Sequence, residues 1–308
     1  MRREPPGSSD RRPDLLWRLR KIEGSPGWAN GDLDVFQRPP NASSWPADQA
    51  STAGASTNMI AAMSVSHRDE PRASGTSADR GALTLSGALL LVGFVVNAVQ
   101  RRIWHPTGEE DNHEAIFTQY AASEAWEATH LAEFLLLLVA FAGLLVLCGA
   151  LRRETPYLAL LAAGAIVATG ASWAALQGVD GVTLKQTVDA WAAASGTDKA
   201  TRFADAETIR WTEWGLQSYF RVLLGVAFLL LGAAAVVSRL LPSWLGVLLA
   251  VGGLLSLALG FSVSYEGLES DFQDPVGIAF QLVVLVFTVG LLVVSRRSRP
   301  PGIRAASA

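Results

Sequence analysis

Residues 126–151 read WEATHLAEFLLLLVAFAGLLVLCGAL, and no charged side chain follows Glu133 in this stretch. An α-helix rises about 1.5 Å per residue, so about 20 apolar residues cross the roughly 30 Å hydrocarbon core of a bilayer. Half of the 308 residues of the chain are apolar, and they are concentrated in blocks of this length. The stretch therefore predicts a helix that spans a membrane.

Six such blocks predict an all-α fold, a polytopic transmembrane helix bundle with six spans. The predicted spans are 82–100, 129–151, 156–177, 219–240, 244–265 and 275–295. The first block also resembles a signal peptide that is cleaved after VNA at 96–98. It is long for such a peptide, however, and Arg101 and Arg102 follow it, which favours a retained helix.

Residues 1–80 contain no long apolar run and are rich in Pro, Ser, Gly, Ala, Arg and Asp. Such a segment buries too little apolar surface to offset its ordering entropy, which predicts a disordered N-terminal tail. Met59 and Met63 allow another interpretation, in which the first 58 or 62 residues come from a wrongly chosen start codon. Residues 81–298 then form the six-helix transmembrane domain, and 299–308 form a short basic cytoplasmic tail.

The positions of Lys and Arg near short loops predict the orientation of the bundle. One side carries the arginines of two short links and of the C-terminal tail, namely Arg152, Arg153, Arg239, Arg296, Arg297, Arg299 and Arg304. The other side carries the acidic loops 101–128 and 266–274. We therefore expect a multi-pass protein of the plasma membrane with both termini in the cytoplasm.

The segment 178–217 is too long for a simple turn, and we expect it to face outward. Leu184, Val188 and Trp191 lie at helical spacing, and SGTDK at 195–199 indicates a break followed by a new helix. The segment is therefore predicted to be partly helical, and its second half to continue into the fourth span.

Glu133 and Arg221 are the two charged residues that lie about one turn inside predicted spans. An ionisable group at that depth costs several kcal/mol unless it has a partner, so we expect the two to pair across the bundle. The residues predicted to line an outward-facing polar pocket are His130, Glu133, Glu213, Gln217, Tyr219, Arg221, Tyr265 and Glu266. A purely structural ion pair is the alternative interpretation.

The sequence assigns no catalytic residue, metal site or cofactor. Glu127 and His130 have the Glu-x-x-His spacing of di-iron bundles, but the second such pair, Glu110 and His113, falls in a predicted loop. No HExxH, CxxC, P-loop or Rossmann glycine pattern occurs. The net charge of −3 argues against a nucleic-acid partner.

Small residues recur at four-residue spacing in two spans, which allows helices to approach closely in lipid. They are Gly164, Ala168 and Ser172 in the third span, and Gly252, Ser256, Gly260 and Ser264 in the fifth. We therefore expect the third and fifth spans to occupy the centre of the bundle.

Three stretches carry a resemblance to a known group of proteins. They are IWHPTGEEDNHEAIFTQYAASEAWEATHLAEF at 103–134, LQGVDGVTLKQTVDAWA at 176–192 and RWTEWGLQSYFRVLLG at 210–225. Residues 82–297 resemble uncharacterised six-span integral membrane proteins of high-GC actinobacteria. The resemblance implies a six-helix membrane protein and no particular activity.

Three classes of function fit these observations. The first is a bundle that binds or transports a small molecule or ion through an outward-facing polar pocket, with the lipid bilayer as its surroundings. The second is a membrane-embedded enzyme that uses His and Glu residues of the outer face, and the third is a structural membrane component. The sequence shows no converging nucleophile or metal set, which disfavours the enzyme. The ligand and the oligomeric state are not predicted.

Overall fold

The computed structural model describes residues 77–106 and 108–297. The predicted disordered tail falls outside these residues up to position 76, and so do the alternative starts at Met59 and Met63 and the tail 299–308.

The described part of the chain is helical, and its helices alternate with short loops. The helices are α1 (Ser77–Leu90), α2 (Asn97–Trp104), α3 (His113–Ala122), α4 (Trp126–Leu151), α5 (Pro156–Gly178), α6 (Lys185–Ala193), α7 (Gly196–Val237), α8 (Ser243–Glu266) and α9 (Gln273–Arg297). π-Helical segments at Leu91–Val96 and Val179–Leu184 join α1 to α2 and α5 to α6 without a break.

Six of these helical stretches are long and apolar enough to cross a membrane, which confirms the prediction of six spans. The first span comprises α1, Leu91–Val96 and α2. The second span is α4, and the third comprises α5, Val179–Leu184 and α6. The fourth span is α7, the fifth is α8 and the sixth is α9. The first span begins at Ser77 and ends at Trp104, beyond both ends of the predicted block. Asp79 in its first turn interacts favourably with the helix dipole, so the helix begins before the apolar block does.

The fourth and fifth spans pack against each other through glycines, as the small residues of the fifth span predict. A Cβ added to Gly232 would lie 2.7 Å from the carbonyl oxygen of Gly246. Ser218 donates a hydrogen bond to the carbonyl oxygen of Gly260 (2.9 Å), and Ser256 donates one to that of Arg221 (2.8 Å). These contacts bring the two backbones close together.

The prediction for the small residues of the third span is wrong. Gly164 and Ala168 are exposed, and a Cβ added to Gly164 would meet no atom within 4 Å. The third span instead buries the face with Ala162, Ile166 and Trp173. Spacing alone did not distinguish a packed stripe from a lipid-facing one, because small residues are compatible with both.

One end of the bundle carries a helical cap formed by α3, α6, the π-helical segment Val179–Leu184 and the first half of α7. We call this the cap end. The cap has its own apolar core, composed of Ile116, Phe117, Tyr120, Trp126, Leu184, Val188, Trp191 and Ala206. The segment 178–217 is helical except at Ala194 and Ser195. With 42 residues, α7 is about 63 Å long, so it extends through the cap as well as the bundle.

Candidate functional site

A buried arginine joins the cap to the loop that follows the first span. Arg210 in α7 is 1% exposed; its Nη1 donates to Glu213 Oε2 and its Nη2 to Glu110 Oε2, each at 2.5 Å. The guanidinium also lies near the ring of Trp214, 5.8 Å from its centre. One cation thus holds two carboxylates, and one of them, Glu110, lies 100 residues from Arg210 in the chain.

Tyr120 completes this network. Its hydroxyl donates a hydrogen bond to Glu110 Oε2 at 2.9 Å, and its ring lies 5.5 Å from the Arg210 guanidinium carbon. Burial raises the pKa of Tyr120 well above its ordinary value, so the phenol keeps the proton that it donates. Of the predicted pocket residues, Glu213 therefore belongs to a closed network of hydrogen bonds rather than to an open site.

His130 is buried against the start of the π-helical segment Val179–Leu184. Its Nε2 lies 3.2 Å from Asp180 Oδ2, and its Nδ1 lies 2.8 Å from the carbonyl oxygen of Trp126. Both ring nitrogens face acceptors, and only the imidazolium form donates at both positions. Gly181 allows this approach, because a Cβ there would lie 2.6 Å from the Cβ of His130.

The predicted ion pair between Glu133 and Arg221 is not formed. Glu133 is 2% exposed, pairs with no cation in the described part of the chain, and leaves its Oε1 without a hydrogen-bond partner there. The charges that act on it belong to Arg101, His130 and Asp180. The second span packs mainly against the first and third, whereas the fourth packs against the third and fifth, so equal depth did not bring Glu133 and Arg221 together.

Arg221 instead lines a cavity of about 760 Å³ between the first, fourth and sixth spans. Its guanidinium carbon lies 6.0 Å from the centre of the Phe280 ring. Arg101 of the first span lines the same cavity, and the charge of Arg101 acts on Arg221. Neither guanidinium makes an ion pair or a hydrogen bond with any residue that the structure describes.

Polar and apolar residues line different depths of this cavity. The polar lining lies toward the cap end and consists of Asn97, Arg101, Arg102, His105, Glu110, Gln217, Arg221, Asp274 and Gln281. The deeper lining is apolar and includes Phe94, Leu137, Leu224 and Val284. The cavity therefore has a polar end and an apolar end.

His105 lies at the polar end, just after the first span. Burial, followed by the positive charge of Arg101, lowers the pKa of His105 to about 4. Its imidazole is therefore neutral near pH 7, and its Nδ1 lies 2.9 Å from the carbonyl oxygen of Pro106. The positive charge of the cavity consequently comes from its arginines.

The remaining predicted pocket residues lie apart from one another. Gln217 lines the large cavity with Arg221, whereas His130 lines a separate cleft of about 250 Å³ between the second and third spans. Tyr219 and Tyr265 are 67% and 83% exposed on the outside of the bundle. Glu266 is exposed and accepts a hydrogen bond from Ser262 at 2.8 Å. The single predicted pocket is thus divided among a buried network, a cleft and a cavity.

Sequence reasoning missed Arg101, Asp180 and Arg210 as members of these sites. The predicted first span ends at residue 100, before Arg101. The helix continues to Trp104, and the absence of Gly or Pro between residues 97 and 104 could have indicated this. Asp180 and Arg210 lie in the segment 178–217, where charged residues are ordinary on an exposed helix. Within the described residues, no group of three or more His, Cys, Asp or Glu side chains is arranged to hold a metal ion.

The six apolar helices and their largely buried polar groups define a multi-pass helical membrane protein. Residues 85–294 match a family described as a domain of unknown function, DUF4386, and the chain belongs to this family. Comparison with curated proteins and with solved structures finds no match.

Proposed function

We propose that this protein binds a small molecule inside the membrane, in the cavity between the first, fourth and sixth spans. The observation that carries the proposal is the pair of arginines, Arg101 and Arg221, that face this cavity without an ion-pair partner in the described chain. Arg221 lies well inside the fourth span, whereas Arg101 is exposed in the last turn of the first span. A cationic group inside a span is costly unless a partner or ligand compensates it, and such groups commonly mark ligand or ion pathways.

The size and lining of the cavity support this proposal. Sites for small molecules commonly measure about 300–1,000 Å³ and combine apolar walls with a few polar groups. The cavity measures about 760 Å³ and has both kinds of lining. His130 and Glu213, the best candidates for acid–base chemistry, are engaged with Asp180 and Arg210 outside it. These engagements favour binding over an enzymatic reaction.

The arginine-rich links support an orientation in which both termini lie in the cytoplasm and the cap end faces outward. The resemblance to proteins of high-GC actinobacteria supports the plasma membrane as the location. A reporter that is active only outside the cytoplasm, fused at residue 270, should therefore give a signal, whereas a fusion at residue 300 should give none. The reverse result would refute the orientation.

Filling the cavity tests the proposed function. Ala98 lines the cavity, and a tryptophan at this position would reduce the volume available to a ligand. We expect the Ala98→Trp variant to lose small molecules that copurify with the wild-type protein, by at least about threefold per mole of protein. The measurement is mass spectrometry of solvent extracts from protein purified in a neutral detergent.

Ala168→Trp is the matched control, because Ala168 is exposed on the third span and lines neither of the two cavities described above. It adds the same side chain to a lipid-facing surface, so its extract should match that of the wild-type protein. Identical extracts from both variants and the wild type would show that the cavity retains no ligand, and the proposed function would then be wrong.

A further inference from the structure

We propose that the ligand is an anionic amphiphile, with one acidic head group and an apolar tail, that enters the cavity sideways from the bilayer. The inference rests on the proposed function, because it names the ligand class of the same cavity. Three observations support it: the positive charge at the polar end of the cavity, the apolar residues that line its deeper part, and the position of its opening between two spans.

The charge at the polar end is positive and incompletely compensated. Arg101, Arg102 and Arg221 line this end. Two acids line it as well, but Glu110 already accepts hydrogen bonds from Arg210 and Tyr120, and Asp274 pairs with no cation in the described chain. Four acids act on Arg101 at a distance without an ion pair, and they are Glu133, Asp180, Glu110 and Glu213. Within the described residues, Arg221 has no such acid and feels only the like charge of Arg101.

An anionic head group fits between the two unpaired arginines. Arg101 and Arg221 repel each other, and an anion bound near both would add two attractions that offset this repulsion. Guanidinium groups bind carboxylate and phosphate oxygens through parallel N–H donors, which favours either head group over a neutral one. The geometry thus points to a carboxylate or a phosphate, free or attached to a lipid.

The apolar end accommodates a hydrocarbon tail. Phe94 lies seven residues from Arg101 along the first span, which corresponds to about 10 Å of depth. Leu224 of the fourth span and Val284 of the sixth line this deeper part. A soluble anion would leave these walls uncovered, whereas a tail would cover them.

The mouth of the cavity lies between the first and sixth spans. Close to the opposite end of the bundle the two helices pack tightly, since a Cβ added to Gly87 would lie 2.7 Å from Leu292 Cδ2. Toward the cap end they diverge, and the residues that line the mouth are exposed and apolar. They are Val99, Ile103, Ile278 and Leu282. In a bilayer, an exposed apolar rim on two spans would face lipid, so a ligand could enter the cavity from the side.

Three matched probes test the ligand class. The purified protein, in the neutral detergent dodecyl maltoside, is titrated with dodecyl phosphate, with dodecanol and with inorganic phosphate, and its thermal midpoint is followed. We expect dodecyl phosphate to bind about ten- to a hundredfold more tightly than dodecanol, because it adds charge-assisted hydrogen bonds to two arginines. Inorganic phosphate should bind far more weakly than dodecyl phosphate, since it lacks a tail.

Arginine variants identify the residues responsible. Arg101→Gln and Arg221→Gln should each weaken dodecyl phosphate binding about tenfold or more and leave dodecanol binding unchanged. Arg152→Gln is the control, because Arg152 is exposed in the link at the opposite end of the bundle. It should bind dodecyl phosphate as the wild-type protein does.

Equal binding of dodecanol and dodecyl phosphate, both abolished by Ala98→Trp, would refute the anionic class while the proposed function stands. Inorganic phosphate that binds as tightly as dodecyl phosphate would refute an amphiphile that enters from the bilayer. Binding of dodecyl phosphate that survives Ala98→Trp would refute both the cavity as its site and this inference.

Discussion

Replacing Arg210 by glutamine should lower the free energy of unfolding by about 3–5 kcal/mol, the usual cost of breaking a buried ion pair. The substitution leaves the carboxylates of Glu110 and Glu213 without their cation, and Glu213 is 5% exposed. Glu213→Gln should cost less, because Arg210 then keeps Glu110. Chemical unfolding in detergent, or the thermal midpoint, measures the difference.

The double variant separates the pair from general damage to the helix. Arg210→Gln combined with Glu213→Gln should cost less than the sum of the two single changes, since one carboxylate no longer stays buried without a partner. Arg202→Gln is the control on the same helix: its side chain is 48% exposed, and its pairs with Asp198 and Asp205 lie on the surface. Such pairs contribute about 0–1 kcal/mol. Equal losses for Arg202→Gln and Arg210→Gln would refute a special role for the buried network.

Adding one methyl group at Gly93 should destabilise the bundle by about 1–3 kcal/mol or more, as overpacking does. A Cβ at this position would lie 2.4 Å from the backbone nitrogen of Ala140, so the first and second spans would have to separate. A clash with a flexible side chain could be relieved by a change of rotamer, but a clash with a helix backbone requires the whole helix to shift. The thermal midpoint of Gly93→Ala in detergent measures this cost.

Gly164→Ala provides the comparison for this substitution. The same change on the third span meets no atom within 4 Å, and alanine favours a helix over glycine by about 1 kcal/mol. We therefore expect no loss of stability at position 164. A Gly93→Ala protein as stable as the wild type would show that the two spans do not approach each other at this point.

The spans could be predicted because a helix that crosses a bilayer needs a certain length and an apolar composition. Both can be read from one continuous stretch of sequence. The block that ends at Leu151 contains no charged residue after Glu133, and a helix begins and ends close to it. The helical character of 178–217 could be predicted for a similar reason, from the spacing of Leu184, Val188 and Trp191. Both features depend only on residues close together in the chain.

The site could be predicted only in part, because it depends on which helix faces which. The position of Glu133 along its helix gives its depth, but each residue also turns the side chain by about 100° around the axis. Sequence cannot tell that the second and fourth spans pack too little against each other for Glu133 and Arg221 to pair. In the same way, the contact between Arg210 and Glu110 depends on how the loop after the first span folds over α7.

Because α7 runs without a break from Gly196 to Val237, the same helix lines the cavity at Arg221 and forms part of the cap. Arg221 lies 25 residues from Gly196, so the helix between them is about 37 Å long. A tilt of about 5° at the height of Arg221 moves the far end by about 3 Å, the width of a hydrogen bond. If α7 tilted as a rigid rod, a small shift around the Arg221 guanidinium would become a larger displacement at the cap.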